Sequence, residues 1–154
     1  MRKIIKKFLL FFFFLFFIRV VIKMKSPLFW SSFVFTTNVW TAFKTTQYLY
    51  SFLFLLLLIS SLIVHNDPTL TNHIFDKIMI SLIVIYGFWK LTQKWSKTNW
   101  VYLAGTIIAF LFCIWVYIYG FLKKSYCFDP IYGSLYHMIL HFVGSLGHHI
   151  LIFM

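Results

Sequence analysis

The length of its uncharged runs constrains this chain more than any other feature. Residues 47–65, 99–122 and 131–153 contain no Asp, Glu, Lys or Arg. A bilayer core takes about 20 apolar residues per helix, so each run is of spanning length. Within a bilayer the backbone must be hydrogen-bonded inside a helix or around a closed barrel. A barrel would alternate polar and apolar positions, and these runs do not. The sequence therefore predicts an all-α fold, a polytopic membrane helix bundle. Composition excludes the competing classes. Charged residues are 11% of the chain, hydrophobic residues 62%, aromatics 23%, and the mean hydropathy is +0.88. Soluble domains carry about 25% charged residues, and disordered chains need low hydrophobicity.

Three further segments fill in the architecture. Residues 8–22, from Phe8 to Ile22, are almost wholly Phe, Leu, Ile and Val around Arg19. Behind the basic Met1–Lys7 stretch they resemble a signal peptide without a small-residue cleavage site, so a retained anchor over 1–25 is expected. Residues 27–43 carry Ser31, Ser32, Thr36, Thr37, Asn38 and Thr41; they read as a helix, with an interfacial placement as the alternative. Residues 74–92 form another span. Turn residues Asn66, Asp67, Pro68 and Asn72 make 66–73 a loop, Lys90–Thr98 reads as a basic loop, and 123–130 closes on Asp129-Pro130. The expectation is about six transmembrane helices, five to seven, in one domain over 1–154, with the core bundle in 47–154.

The net charge of +11 comes from 14 Lys and Arg against three acids. A nucleic-acid binder gathers its charge on one polar face. Here Lys23, Lys25, Lys90, Lys94, Lys97, Lys123 and Lys124 sit between apolar runs, as charges at membrane interfaces do. The expected partner is membrane lipid, with no nucleic acid. With six crossings, Lys44, Lys90, Lys94, Lys97 and the N-terminal cluster share one side, which the positive-inside rule places in the cytoplasm. Trp89, Trp95, Trp100 and Tyr102 read as an interfacial aromatic belt. Cys113 and Cys127 form no metal spacing and no disulfide framework; Cys113 reads as core.

Ionisable residues inside spans are costly and mark functional sites. Ser61 and His65 stand four apart at the end of one helix, so they share a face. Asp76 opens the next helix. His137 and His141, again four apart, begin the last one. The topology puts all three helix ends on the side opposite Lys44. Three His ligands with an open fourth position make a catalytic zinc pattern. A nearby carboxylate can take a proton from water and deliver it to a leaving group, and a hydroxyl can support a developing oxyanion. Each residue also has a plainer reading. Ser61 could bond back to the Leu57 carbonyl, Asp76 could answer the helix dipole, and His137 and His141 could tie helices together. His148 lies roughly 16 Å deeper than His137 at 1.5 Å per residue. It cannot share their metal, and with His149 it is expected near the opposite interface. His73 is expected to be solvated in its loop.

The order Ser61-x3-His65, then Asp76, then His137-x3-His141 resembles the signature of the CREST superfamily, which includes the alkaline ceramidases and the adiponectin and progestin receptors. Its members are seven-helix membrane proteins, proved or proposed to be zinc-dependent lipid amide hydrolases. The resemblance implies Zn2+ held by His65, His137 and His141, Asp76 acting on water, and Ser61 as a supporting hydroxyl. It covers residues 58–80 and 131–145. The chain departs from the superfamily in length: only one span, 99–122, separates the Asp helix from the His-pair helix, where members have three. The function so implied is a zinc-dependent membrane hydrolase acting on a lipid amide or ester. The competing reading is a non-enzymatic structural or receptor-like multi-pass protein. A bis-His haem bundle fits least, because His137 and His141 share one helix.

Overall fold

The computed structural model describes residues 27–96, 99–122 and 132–154. The expected anchor, residues 8–22, lies outside them, as does Cys127. The described residues form six helical segments and no strand: α1 Pro27–Ser32, α2 Val34–Lys44, α3 Tyr48–Asn66, α4 Leu70–Lys94, α5 Trp100–Leu122 and α6 Tyr132–Phe153. Helices expected over 47–65, 99–122 and 131–153 start and stop within a residue or two of α3, α5 and α6, the usual spread at fraying ends. Among the described residues, α3, α5 and α6 are the three helices long and apolar enough to cross a membrane. α5 leaves Ile108, Leu111, Ile114, Trp115 and Ile118 exposed. A run of that size is a surface for lipid or protein, not for water.

Two expected boundaries are corrected. α4 begins at Leu70 and not at residue 74, because Thr69, just after Pro68, caps the helix by accepting from the Asn72 amide at 3.3 Å. His73 therefore lies on a helix, though exposed as expected, and the helix runs on through Lys94. The single helix expected over 27–43 is broken at Phe33. Ser31 Oγ and Ser32 Oγ both donate to the Leu28 carbonyl, at 2.8 and 3.0 Å. Serine hydroxyls bonded to their own helix carbonyls bend helices. At the break, Phe33 N bonds Trp30 O and Thr36 N bonds Phe33 O, tight three-residue steps in place of α-helical ones.

The contacts define the helix directions. Ser32 meets Ser61 and Ser51 meets Val39, so α1–α2 is antiparallel to α3. Ser60 meets Asp76 and Tyr50 meets Tyr86, so α3 is antiparallel to α4. α6 runs parallel to α1–α2: His141 meets Ser31, Ser145 meets Asn38, and Ile152 meets Gln47. α5 packs antiparallel on α6, where a Cβ on Gly147 would stand 3.0 Å from that of Ala109; the missing side chain lets the two backbones close up.

Each helix contributes one stripe to the interior. On α4 the buried residues are Asp76, Ile83, Gly87 and Leu91, spaced by sevens and fours along one face. Asp76 thus points inward because it occupies the core stripe. On α3 the buried stripe Tyr50, Phe54, Leu57, Leu58, Ser61 leads to His65 one turn on.

Candidate metal centre

His65 at the end of α3 meets His137 and His141 at the start of α6. Ring centroids are 4.9 Å apart for His65–His137, 5.5 Å for His65–His141 and 4.7 Å for His137–His141. One ring nitrogen from each lies within 4.8 Å of the other two. Nitrogens bound to one tetrahedral zinc at about 2.1 Å would stand roughly 3.4 Å apart, so small imidazole rotations suffice to close the set on an ion. His141 is buried, and the other two rings are half-buried.

His65 Nε2 is buried and has no hydrogen-bond partner among the described residues. A buried polar atom without a partner is costly and calls for an explanation. His65 belongs to a three-histidine group that could hold a metal ion, which would be one such explanation. The donor set, three neutral nitrogens and no thiolate, suits zinc and other imidazole-preferring divalent metals.

Asp76 is 4% exposed and takes its hydrogen bond from Ser60 Oγ to Oδ1 at 3.0 Å. Ser60 also stands 3.0 Å from the Leu57 carbonyl, the back-bond considered for its neighbour. Ser61, expected as the supporting hydroxyl, lies 2.8 Å from Ser32 Oγ. Since Ser32 donates to Leu28, Ser61 is the donor in that pair. The structure thus brings His65, His137 and His141 together, ties Asp76 to Ser60, and ties Ser61 to Ser32. Ser31 completes the set: its Oγ is 2.8 Å from His141 Nδ1, and the Phe35 ring packs edge-on to the same imidazole at 5.1 Å. Ser31, Ser32 and Ser60 were not singled out as site residues from the sequence. The signal available for them was two Ser-Ser pairs set in apolar helices.

His148 is corrected. It lies toward the end of the bundle opposite the three-histidine cluster, as expected, but is 4% exposed, inside the bundle and not at its surface. Its Nδ1 hydrogen-bonds the Tyr50 hydroxyl, and its ring packs against Phe54 and Phe110 at 5.1 and 4.8 Å. His149 is half-buried, 2.8 Å from Thr37 Oγ1. Cys113 is half-buried and faces Gly144. A shallow open groove of about 410 Å³ on the outer face of α4 is lined by His73, Ile74, Lys77, Ile78, Ser81 and Leu82, apart from the histidine cluster.

Among the described residues, fold and site together define an all-helical bundle with three apolar helices of membrane-crossing length and a three-imidazole cluster that could hold a metal ion. No known protein family, curated protein or solved structure matches the chain.

Proposed function

We propose that this chain is a multi-pass integral membrane protein of about six helices that binds zinc through His65, His137 and His141 and hydrolyses a lipid amide or ester. One observation carries the reading: three imidazoles from two helices converge, and one of their nitrogens is buried without any other partner. The resemblance of Ser61, His65, Asp76, His137 and His141 to the CREST signature supports the same reading. A zinc ion in such a site supplies Lewis-acid activation of water near neutral pH.

The chain's own residues supply the rest. With Oδ1 engaged by Ser60, Asp76 has Oδ2 to accept a proton from water as the water oxygen bonds to the acyl carbon. It returns that proton to the amine or alcohol as the acyl bond breaks. Ser61 and Ser32 fix α3 to α1 and so hold His65 at its level. The exposed apolar faces of α4 and α5 suit a substrate that arrives from the bilayer.

The test is metal analysis and turnover on the same detergent-purified sample. About one zinc per chain, with acyl release from amide or ester lipids that stops on chelation, is the expected result. Protein folded as a helical bundle but free of metal, and unable to take zinc up, would favour the non-enzymatic reading.

A further inference from the structure

We infer that Ser31 sets the tautomer of His141 and so makes its Nε2 a metal ligand, an inference that rests on the zinc reading above. The argument follows from counting protons. A serine hydroxyl has one donor hydrogen and two acceptor lone pairs. Ser31 stands 2.8 Å from two groups, the Leu28 carbonyl oxygen and His141 Nδ1. A carbonyl oxygen can only accept, so the Ser31 proton belongs to Leu28, and Ser31 Oγ accepts from His141 Nδ1–H. Ser32 donates to the same carbonyl at 3.0 Å, and Ser61 donates to Ser32. Every hydroxyl in this relay then points the same way.

With Nδ1 protonated, the lone pair of neutral His141 is on Nε2. That is the nitrogen left for His65 and His137, whose ring centroids are 5.5 and 4.7 Å from its own. The Phe35 ring at 5.1 Å keeps the imidazole from turning over. The break at Phe33 is part of the device. It arises where Ser31 and Ser32 bond back to Leu28, and Ser31 and Phe35, four residues apart across it, meet the same ring. Metal-bound histidines commonly donate their second N–H to an oxygen acceptor. Loss of that partner typically weakens metal binding about 10- to 100-fold. Ser31 is therefore a positioning residue, contributed by a helix that carries no ligand.

The experiment measures zinc affinity by chelator competition in detergent-purified full-length protein, alongside the 15N spectrum of histidine-labelled metal-free protein. Ser31→Ala should weaken zinc about 10- to 100-fold. Ser31→Thr, which keeps the hydroxyl, should restore it, and Ser81→Ala, which removes an exposed hydroxyl bonded back to the Lys77 carbonyl of its own helix, should leave it unchanged. In the metal-free wild type, His141 should be protonated on Nδ1; in Ser31→Ala it should shift toward the other tautomer. Unchanged zinc affinity in Ser31→Ala, with binding abolished in His141→Ala, overturns this inference and spares the zinc reading. Undiminished binding in His141→Ala overturns both. A wild-type His141 protonated on Nε2 overturns the inference whatever the affinities show.

Discussion

Ser60 Oγ shares its one hydrogen between the Leu57 carbonyl and Asp76 Oδ1, each at 3.0 Å, and so joins two buried side chains on antiparallel helices at the level where α3 and α4 approach their shared turn. The adjacent Ser61 points the other way, to Ser32 on α1. Two consecutive hydroxyls on α3 therefore serve different neighbours. Replacing either one separates their roles. Ser60→Ala leaves a buried carboxylate oxygen short of its donor, a loss of about 1–3 kcal/mol. Acyl turnover should fall because Asp76 is no longer oriented. Ser61→Ala should cost stability without touching the Asp76 hydrogen bond. Denaturant midpoints in mixed micelles, read beside turnover, check this; equal turnover in Ser60→Ala and wild type would contradict it.

The zinc reading is tested most directly on α6. The His137→Ala, His141→Ala double variant should retain little zinc, because only His65 remains of the three imidazoles. Affinity in the wild-type protein should also depend on pH. Metal binding needs neutral imidazole, whose ordinary pKa is about 6.5, so protons compete as pH falls and release the ion. Full occupancy in the double variant would end the assignment.

Asp76→Asn removes the proton acceptor but keeps the shape and a hydrogen-bonding oxygen for Ser60. Zinc content should stay at the wild-type level, and turnover should fall by at least about 100-fold, the low end for losing a general base. Zinc lost together with the carboxylate would make Asp76 a ligand and not a base.

How much of this was legible in the sequence varies by residue. Uncharged runs located α3, α5 and α6 because bilayer-length apolarity is a one-dimensional signal. The i, i+4 spacing of His137 and His141 placed both rings on one helix face for the same reason. The break at Phe33 was not legible: it depends on where two serine protons go, and Ser31 and Ser32 have ordinary helical alternatives in an apolar run. The burial of His148 was missed by a depth argument that ignored azimuth. Eleven residues are close to three full turns, since an 11-residue repeat is about 3.67 per turn. His148 therefore keeps the face of His137 while moving deeper. The positions 137, 141, 145, 148 and 152 form one stripe, and Gly87 on α4 leaves the space that the imidazole fills.

That space gives a prediction independent of metal. A Cβ on Gly87 would stand 2.8 Å from His148 Cε1 and 3.2 Å from the Tyr50 hydroxyl. Gly87→Ala must displace the ring and break the Tyr50–His148 hydrogen bond, an overpacking cost of typically about 1–3 kcal/mol. Tyr50→Phe should lose a comparable amount by leaving His148 Nδ1 unpaired. Both should lower the thermal midpoint and leave zinc affinity unchanged, because His148 lies roughly 10 Å along α6 from His141 at 1.5 Å per residue. Zinc affinity that fell with Gly87→Ala would show that the two buried histidine sites are coupled.

The last prediction concerns which side of the membrane the histidine cluster faces. α1–α2 runs beside α6 from the level of His141, where Ser31 bonds, to the level of Ile152, where Gln47 bonds. It travels through the depth of the bundle and not across one end. Lys44 therefore closes the same end as Lys94, whose Nζ reaches the Leu151 carbonyl at 2.9 Å. Lys90 lies one turn back on α4. Short basic segments next to spans face the cytoplasm, so this end should be cytoplasmic, and the end bearing His65 and His137 should face the lumen or the exterior. Cysteine substitutions at the two exposed positions Thr71 and Ser96 read this out. With an impermeant thiol reagent added to intact cells, Thr71→Cys should react and Ser96→Cys should not. The opposite result would invert the orientation while leaving the histidine cluster intact, because the joining of His65 to His137 and His141 depends only on the packing of α3 against α6.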